Sequence, residues 1–327
     1  MILLDRFHGY ARPDESYGVR NHVAVIPSVI CANVVAERIA EEVKGAVALP
    51  HCCGCCQVEK DRDQTFRTLA GLGMNPNVYG VLVVGLGCEA ISAEKLSDEI
   101  SKSRKPVYYM NIQDENGTLK SIRKGVRIAR KLVNEASKQK RRTIDVSTLV
   151  VGTECGGSDW TSGITANPAL GVAMDLVVER GGTVILSETT ELIGAEHILA
   201  NRAGDSEIRK RILELVKKYE DQITLLGGDI RDGQPTLGNI AGGITTIEEK
   251  SLGAICKGGT SKIVDVVDYG ERVSKKGLIL MNSPGYDVES VTGMVAGGAQ
   301  LIVFTTGIGT PTGNPMPATI APQVVPK

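Results

Sequence analysis

The stretch VYGVLVVGLGCEAISAEKLSDEISKS, residues 78–103, decides the fold class. Its first eight residues are apolar or β-branched, long enough for a buried strand and too short for a core helix. Glycines follow at Gly85 and Gly87, and the chain then reads as a helix over 92–103. Strand, glycine loop, helix is the repeating unit of a parallel sheet covered on both faces.

The same unit recurs on either side. HVAVIPSV (22–29), GAVALP (45–50) and PVYYMNI (106–112) read as strands, with helices expected over 32–43 and 119–138. SKQKRRT (137–143) is polar and charged and reads as a linker, after which the pattern restarts. STLVVG (147–152), GTVILSE (182–188), GLILMNSPG (277–285) and QLIVFTTG (300–307) read as strands. Helices are expected over 168–180, 190–203, 206–219, 245–252 and 288–295. The expected fold is α/β: two Rossmann-like domains with mainly parallel sheets and helices on both faces, divided as 1–142 and 143–327. A length of 327 residues, beyond what one core usually supports, agrees with two domains.

Composition excludes several functions. The net charge is −1 and aromatics are 4%, which gives no footprint for nucleic acid or an anionic membrane. The opening MILLDRFHGYARPDE meets charge at Asp5 and Arg6, unlike a signal peptide. No apolar run approaches the roughly 18 residues of a membrane span. The expectation is a cytoplasmic chain with reduced thiols.

Four of eight cysteines crowd into HCCGCC, residues 51–56. A zinc ribbon needs a second such pair, and Cys31, Cys88, Cys155 and Cys256 are single. A redox loop, inert buried thiols and an iron site all remain open. For the last, Cys55 or a neighbour in the loop, Cys88 and Cys155 each follow a buried strand beside glycine, where ligands bind in open α/β sheets. LVVGLGCE (82–89) and LVVGTECGG (149–157) echo one another in this respect. Three thiolates could hold one Fe(II) or an iron–sulfur cluster with an open iron, with His51, His197 and His22 as histidine candidates. GLGCEA (85–90) also fits a dinucleotide fingerprint, although no acidic residue ends the next strand cleanly. The second half adds polar glycine loops carrying Glu154, Asn167, Glu188, Glu191, His197, Lys250, Lys257, Thr260, Ser283 and Asp287. They suit a small, polyhydroxylated, anionic ligand.

Six segments in order resemble the altronate and galactarate dehydratase family, which also includes the large subunit of sulfolactate sulfo-lyase. They are GYARPDESYGVRNHVAVIPSV (9–29), VLVVGLGCE (81–89), ECGGSDWTSGITANPALG (154–171), ILSETTELIGAEH (185–197), GNIAGGITTIEEKSLGAICKGGT (238–260) and NSPGYDVESVTGMVAGGAQLIVFTTGIG (282–309). The resemblance implies an iron-dependent lyase that dehydrates a sugar acid to a 2-keto-3-deoxy acid by β-elimination, or releases sulfite in the sulfo-lyase branch. It implies metal ligands Cys55, Cys88 and Cys155, with His51 as fourth ligand or acid–base group and His197 with Glu188 as the other acid–base pair. Arg12, Arg20, Asn167, Lys257 and Thr260 are the expected substrate contacts. Family enzymes that act alone carry a small N-terminal SAF-type domain. A separate small SAF-type subunit is therefore expected as a partner, alongside a homo-oligomer. Relatives continue past APQVVPK, so a truncated C-terminus is expected as well.

Overall fold

The computed structural model describes residues 5–320. The ending APQVVPK (321–327) and residues 1–4 of the N-terminal reading lie outside them. Thirteen strands occur among the described residues: β1 (Arg6–Ala11), β2 (Tyr17–Gly18), β3 (His22–Pro27), β4 (Ala46–Ala48), β5 (Val78–Gly85), β6 (Val107–Asn111), β7 (Arg142–Asp145), β8 (Val150–Cys155), β9 (Thr183–Leu186), β10 (Ile263–Val267), β11 (Gly277–Met281), β12 (Leu301–Thr305) and β13 (Ala318–Ile320).

They form two all-parallel sheets and one small antiparallel one. The first parallel sheet runs β4-β3-β5-β6 and the second β10-β11-β9-β8-β12-β13. Val81–Val84 and Leu278–Met281 are almost wholly buried, which is why both stretches read as unbroken apolar runs. Helices Asn33–Glu41, Glu59–Met74, Ala93–Ser101 and Thr118–Ala136 flank the first sheet. Helices Asn167–Glu179, Ser206–Leu225 and Asp287–Ala296 flank the second. The fold is α/β with helices on both faces of parallel sheets, as expected. None of the described helices is long and apolar enough to cross a membrane.

Two departures from expectation have clear causes. The end of the expected linker is strand β7, paired antiparallel with β1 through Gly9↔Arg142 and Arg6↔Asp145. Its charged residues stay outward on this small sheet, so no apolar run announces it. Helix Glu59–Met74 begins EKDRDQ and contains Gly71 and Gly73, which hide its helical period. A Cβ on Gly71 would collide with the Ala296 carbonyl, so this glycine lets the helix pack tightly on Asp287–Ala296.

That helix pair joins the sheets. One hydrophobic cluster holds Ala24 and Val83 of the first sheet with Ile185, Ile279 and Met281 of the second, and Val295 between them. Buried amides reinforce the seam. Asn75 donates to the carbonyls of Val295 (2.8 Å) and Ala299 (2.9 Å), and Asn77 donates to that of Gln300 (2.9 Å). Paired this way, they avoid the cost of orphaned buried amides, roughly 1–3 kcal/mol each.

In each parallel sheet the chain leaves one strand toward one side and later returns to its other side. The reversal falls at β3, between β4 and β5, and at β8, between β9 and β12. Crevices open beyond the carboxyl ends of strands at such points.

Candidate functional site

The crevice beyond β8 holds the densest buried charge among the described residues. Glu154 and Cys155 end β8; Glu188 and Glu191 follow β9; Lys250 lies on helix Ile247–Ala254 and Lys257 in the turn after it. Lys257 is 1% exposed, yet its Nζ is well surrounded. It donates to Cys155 Sγ (2.9 Å), pairs with Glu188 and lies 3.6 Å from Glu191 Oε2. Glu191 also pairs with Lys250 at 3.0 Å and accepts from the Cys155 thiol at 3.2 Å. Ser290 Oγ donates to Glu154 Oε2 at 2.6 Å.

Unpaired burial of any of these charges would cost several kcal/mol, so the neighbours set each protonation state. Burial pulls Lys257 down, but Cys155, Glu188, Glu191 and Glu154 together hold it well above the ordinary lysine value. Burial, then Glu188, drives Glu154 well above the carboxylate range. Burial works to raise Glu191 too, but Lys250 and Lys257 outweigh it and hold this carboxyl low. Glu188 is raised by burial and by Glu191. The Cys155 thiol is pushed well up by burial and then by Glu191. Burial thus favours the neutral forms of Glu154 and Cys155, while Glu191 faces the two ammonium groups of Lys250 and Lys257.

Backbone geometry holds this arrangement in place. Glu188 adopts φ 69° and ψ 68°, a left-handed conformation that costs a non-glycine residue about 1–3 kcal/mol. Ser283 holds it there, its hydroxyl accepting the Glu188 amide at 2.7 Å and its carbonyl the Thr189 amide at 2.9 Å. Asp287 reaches the strand end because Gly156 has no side chain; a Cβ there would collide with the Asp287 carboxylate. Half-buried Asp287 is held above the ordinary aspartate value by burial and then by Glu191.

Cys155 and Lys250 line a cavity of about 480 Å³. Ser158, Asp159, Ser162 and Asn167 supply polar walls, and Trp160, Ile164 and Leu252 an apolar rim. Asn167 donates to the Gly253 carbonyl (3.0 Å) and accepts from Thr305 Oγ1 (2.6 Å).

Cys155, Glu188 and Glu191 form a buried group able to hold a metal ion, their ligand atoms all within 4.8 Å of one another. One thiol with two carboxylates suits a first-row divalent ion. Glu188 and Glu154 are joined by a hydrogen bond between their buried carboxyls, with the proton on Glu154. The Lys257 ammonium competes for the same three groups.

The structure therefore brings together Cys155, Glu188, Lys257 and Asn167 from the expected set, and separates the rest. Cys55 and Cys88 do not join Cys155 within such a group among the described residues. Both are exposed on loops of the first sheet, whereas Cys155 is buried in the second. Those two loops do adjoin each other, through Ala90 N–H to the Gly54 carbonyl at 3.2 Å. His51 donates from Nε2 to the Pro27 carbonyl (2.8 Å), and its Nδ1 accepts the Cys53 amide (3.1 Å), so both ring nitrogens are engaged. Burial pushes its pKa down. His197 is exposed on helix Glu196–Asn201; Glu188 pairs with Lys257 instead. His22 is half-buried in β3.

Of the expected substrate contacts outside this crevice, Arg12 is a structural clamp. It donates to the carbonyls of Pro76 (2.7 Å) and Arg20 (2.9 Å) and to Asn21 Oδ1 (2.8 Å), and burial lowers its pKa to about 10. Arg20 is exposed. Thr260 binds the Asp175 carboxylate through its amide and hydroxyl, fastening the glycine turn to helix Asn167–Glu179. The dinucleotide-like loop is filled by its own side chain, since Glu89 accepts the Gly87 amide (2.6 Å) and the Ser28 hydroxyl (2.8 Å).

Residues 146–321 match the family described as D-galactarate/Altronate dehydratase, C-terminal. Residues 9–137 match D-galactarate dehydratase/Altronate hydrolase, second domain. The chain is 42% identical over 312 residues to the (2R)-sulfolactate sulfo-lyase subunit beta of Chromohalobacter salexigens, an alignment covering 95% of this chain and 79% of that one. It is 37% identical over 325 residues to an altronate dehydratase of Bacillus subtilis, covering 95% of this chain and 64% of that one. With a galactarate dehydratase (L-threo-forming) of Escherichia coli it shares 37% over 327 residues, covering 94% and 62%. The chain thus spans less than two thirds of these two dehydratases. All three relatives are lyases by name, and with both halves matched this chain belongs to the D-galactarate/altronate dehydratase family.

Proposed function

We propose that the chain is the catalytic part of an iron-dependent lyase that dehydrates a sugar acid of the altronate or galactarate type to a 2-keto-3-deoxy acid. The carrying observation is the neutralised Lys257–Glu188–Glu191–Cys155 cluster opening through Cys155 and Lys250 onto the 480 Å³ cavity. β-Elimination needs a base for the proton α to the carboxylate and an acid for the departing β-hydroxyl. Asp287, half open and held above the ordinary aspartate value by burial and then by Glu191, is the base. Lys250 lines the cavity, keeps its proton and is the acid, while Asn167 and Ser162 orient the substrate hydroxyls. Iron would be held by Cys155, Glu188 and Glu191, and would supply Lewis-acid polarisation of substrate oxygen.

A sulfo-lyase reading is favoured by one observation: the chain covers 79% of the sulfo-lyase subunit beta, a larger share than of either dehydratase. In that branch sulfite leaves in place of water, and a small partner subunit completes the enzyme. The test supplies altronate, galactarate and sulfolactate to the iron-loaded chain, alone and with a small β-rich subunit. Keto-acid formation from a sugar acid, abolished in Asp287→Asn and Lys250→Met, supports the dehydratase. Sulfite release selects the sulfo-lyase. No turnover of any of the three in either assembly sinks both.

A further inference from the structure

The HCCGCC loop does not line the 480 Å³ cavity at Cys155 and Lys250. It lies at the other switch point, after β4, and carries Cys52, Cys53, Cys55 and Cys56 as free thiols. Cys53 is half-buried and the other three are exposed. Their sulfurs form two vicinal pairs, Cys52–Cys53 at 3.8 Å and Cys55–Cys56 at 3.6 Å. A disulfide requires about 2.05 Å, so both pairs are far from that bond. Two thiolates sharing a tetrahedral ion at a metal–sulfur distance of about 2.3 Å lie about 3.8 Å apart. Each pair therefore already has the bite of one coordination edge.

The loop is held in that shape. His51 links the Pro27 carbonyl to the Cys53 amide, and Ile30 donates its amide to the Cys53 carbonyl at 2.9 Å. Gln57 accepts the Gly54 amide (3.0 Å) and donates to Thr65 Oγ1 (2.9 Å). Gly54, at φ 102°, sits so close to the Ser28 carbonyl that a Cβ would not fit. Little ordering entropy remains to oppose binding.

We propose that the Cys52/Cys53 and Cys55/Cys56 pairs each chelate a thiophilic d10 cation, such as Zn²⁺, at positions separate from the buried Cys155 group. Thiolates favour such ions over hard ones such as Mg²⁺ or Ca²⁺. Binding transfers the two thiol protons of a pair to solvent, and water fills the remaining positions. The Cys52/Cys53 ion faces a cavity of about 800 Å³ also lined by Tyr269, Asn282 and Ser283.

The test uses the reduced, metal-free full chain. Zn²⁺ is titrated against a chromogenic chelator, and Co²⁺ is followed by its thiolate charge-transfer band. The expected result is two ions lost in steps: one in Cys52→Ser/Cys53→Ser, the other in Cys55→Ser/Cys56→Ser, with both kept in Cys155→Ser. In the unmutated chain, Zn²⁺ should also protect these four thiols from iodoacetamide, read by peptide mass spectrometry. This second readout does not depend on any variant folding. Binding indifferent to both double variants, or no protection, would mean an adventitious ion only and overturn the proposal. A single ion lost in either double variant would mean one tetrathiolate site and overturn the pairwise assignment.

Discussion

The two switch points of the molecule share a topology and diverge in chemistry. Both sit beyond the carboxyl ends of parallel strands, and both carry cysteine. At β8 the thiol is buried among three glutamates and two lysines, and the chain supplies its own counter-charges. At β3 and β4 the thiols are largely exposed, and the loop is shaped by backbone hydrogen bonds. Depth separates them: a buried ionisable group must find a partner, whereas an exposed one has water. The first arrangement tunes protonation; the second leaves sulfur free to react.

The sharpest way to break this contrast is to unbalance the buried side. Lys257→Met leaves Glu188 without its cation, and stability to urea should fall by about 3–5 kcal/mol. Adding Glu188→Gln should restore much of the loss, because the orphaned charge is then gone. Full loss in the double variant would mean that packing, rather than charge, is what Lys257 supplies. Next comes reactivity: iodoacetamide should label the 52–56 thiols in the native protein and reach Cys155 only on unfolding. Labelling of Cys155 at native rates would show that the crevice opens readily.

A third effect concerns pH. Asp287 is held above its ordinary value, so the acid limb of kcat/KM should lie above the usual aspartate range, with rate rising as the base ionises. Asp287→Glu should keep activity and move that limb. The smallest effect is expected at the Asp175 clamp. Burial raises Asp175, but hydrogen bonds from Ser261 and Thr260 outweigh it and hold the carboxyl low. A lowered native pKa gives stability that is present above the unfolded value and lost as pH falls through the native one. Asp175→Asn should cost about 1 kcal/mol at neutral pH, vanishing in acid, as read from thermal unfolding.

The same contrast governs how much the sequence reveals. β5, β8, β9, β11 and β12 were legible because strands covered on both faces are unbroken apolar runs. Helix Glu59–Met74 and strands β7 and β10 were not, because charges or neighbouring glycines blur their period. At the site, residue types at strand ends pointed to Cys155, Glu188, Asn167 and Lys257. Glu154, Glu191, Lys250 and Asp287 stood out as polar loop residues, but nothing local marks them as neighbours of Lys257. Their convergence depends on separations of a hundred residues and more, 102 between Cys155 and Lys257 and 136 between Glu154 and Ser290. For His51 and Arg12 the converse holds: nothing beside them in the sequence shows that backbone carbonyls accept from their side chains.

The pairing of β1 with β7 has a consequence for synthesis. Gly9 meets Arg142, so β1 leaves the ribosome about 130 residues before its β7 partner exists. At roughly 5–20 residues per second that interval is on the order of 10 s. The β3, β4, β5 and β6 sheet can be complete by then, since all its strands precede residue 112. Until then β1 has only the short strand β2 beside it at Tyr10 and Ala11, and its Arg6–Gly9 stretch is an open edge in the nascent chain.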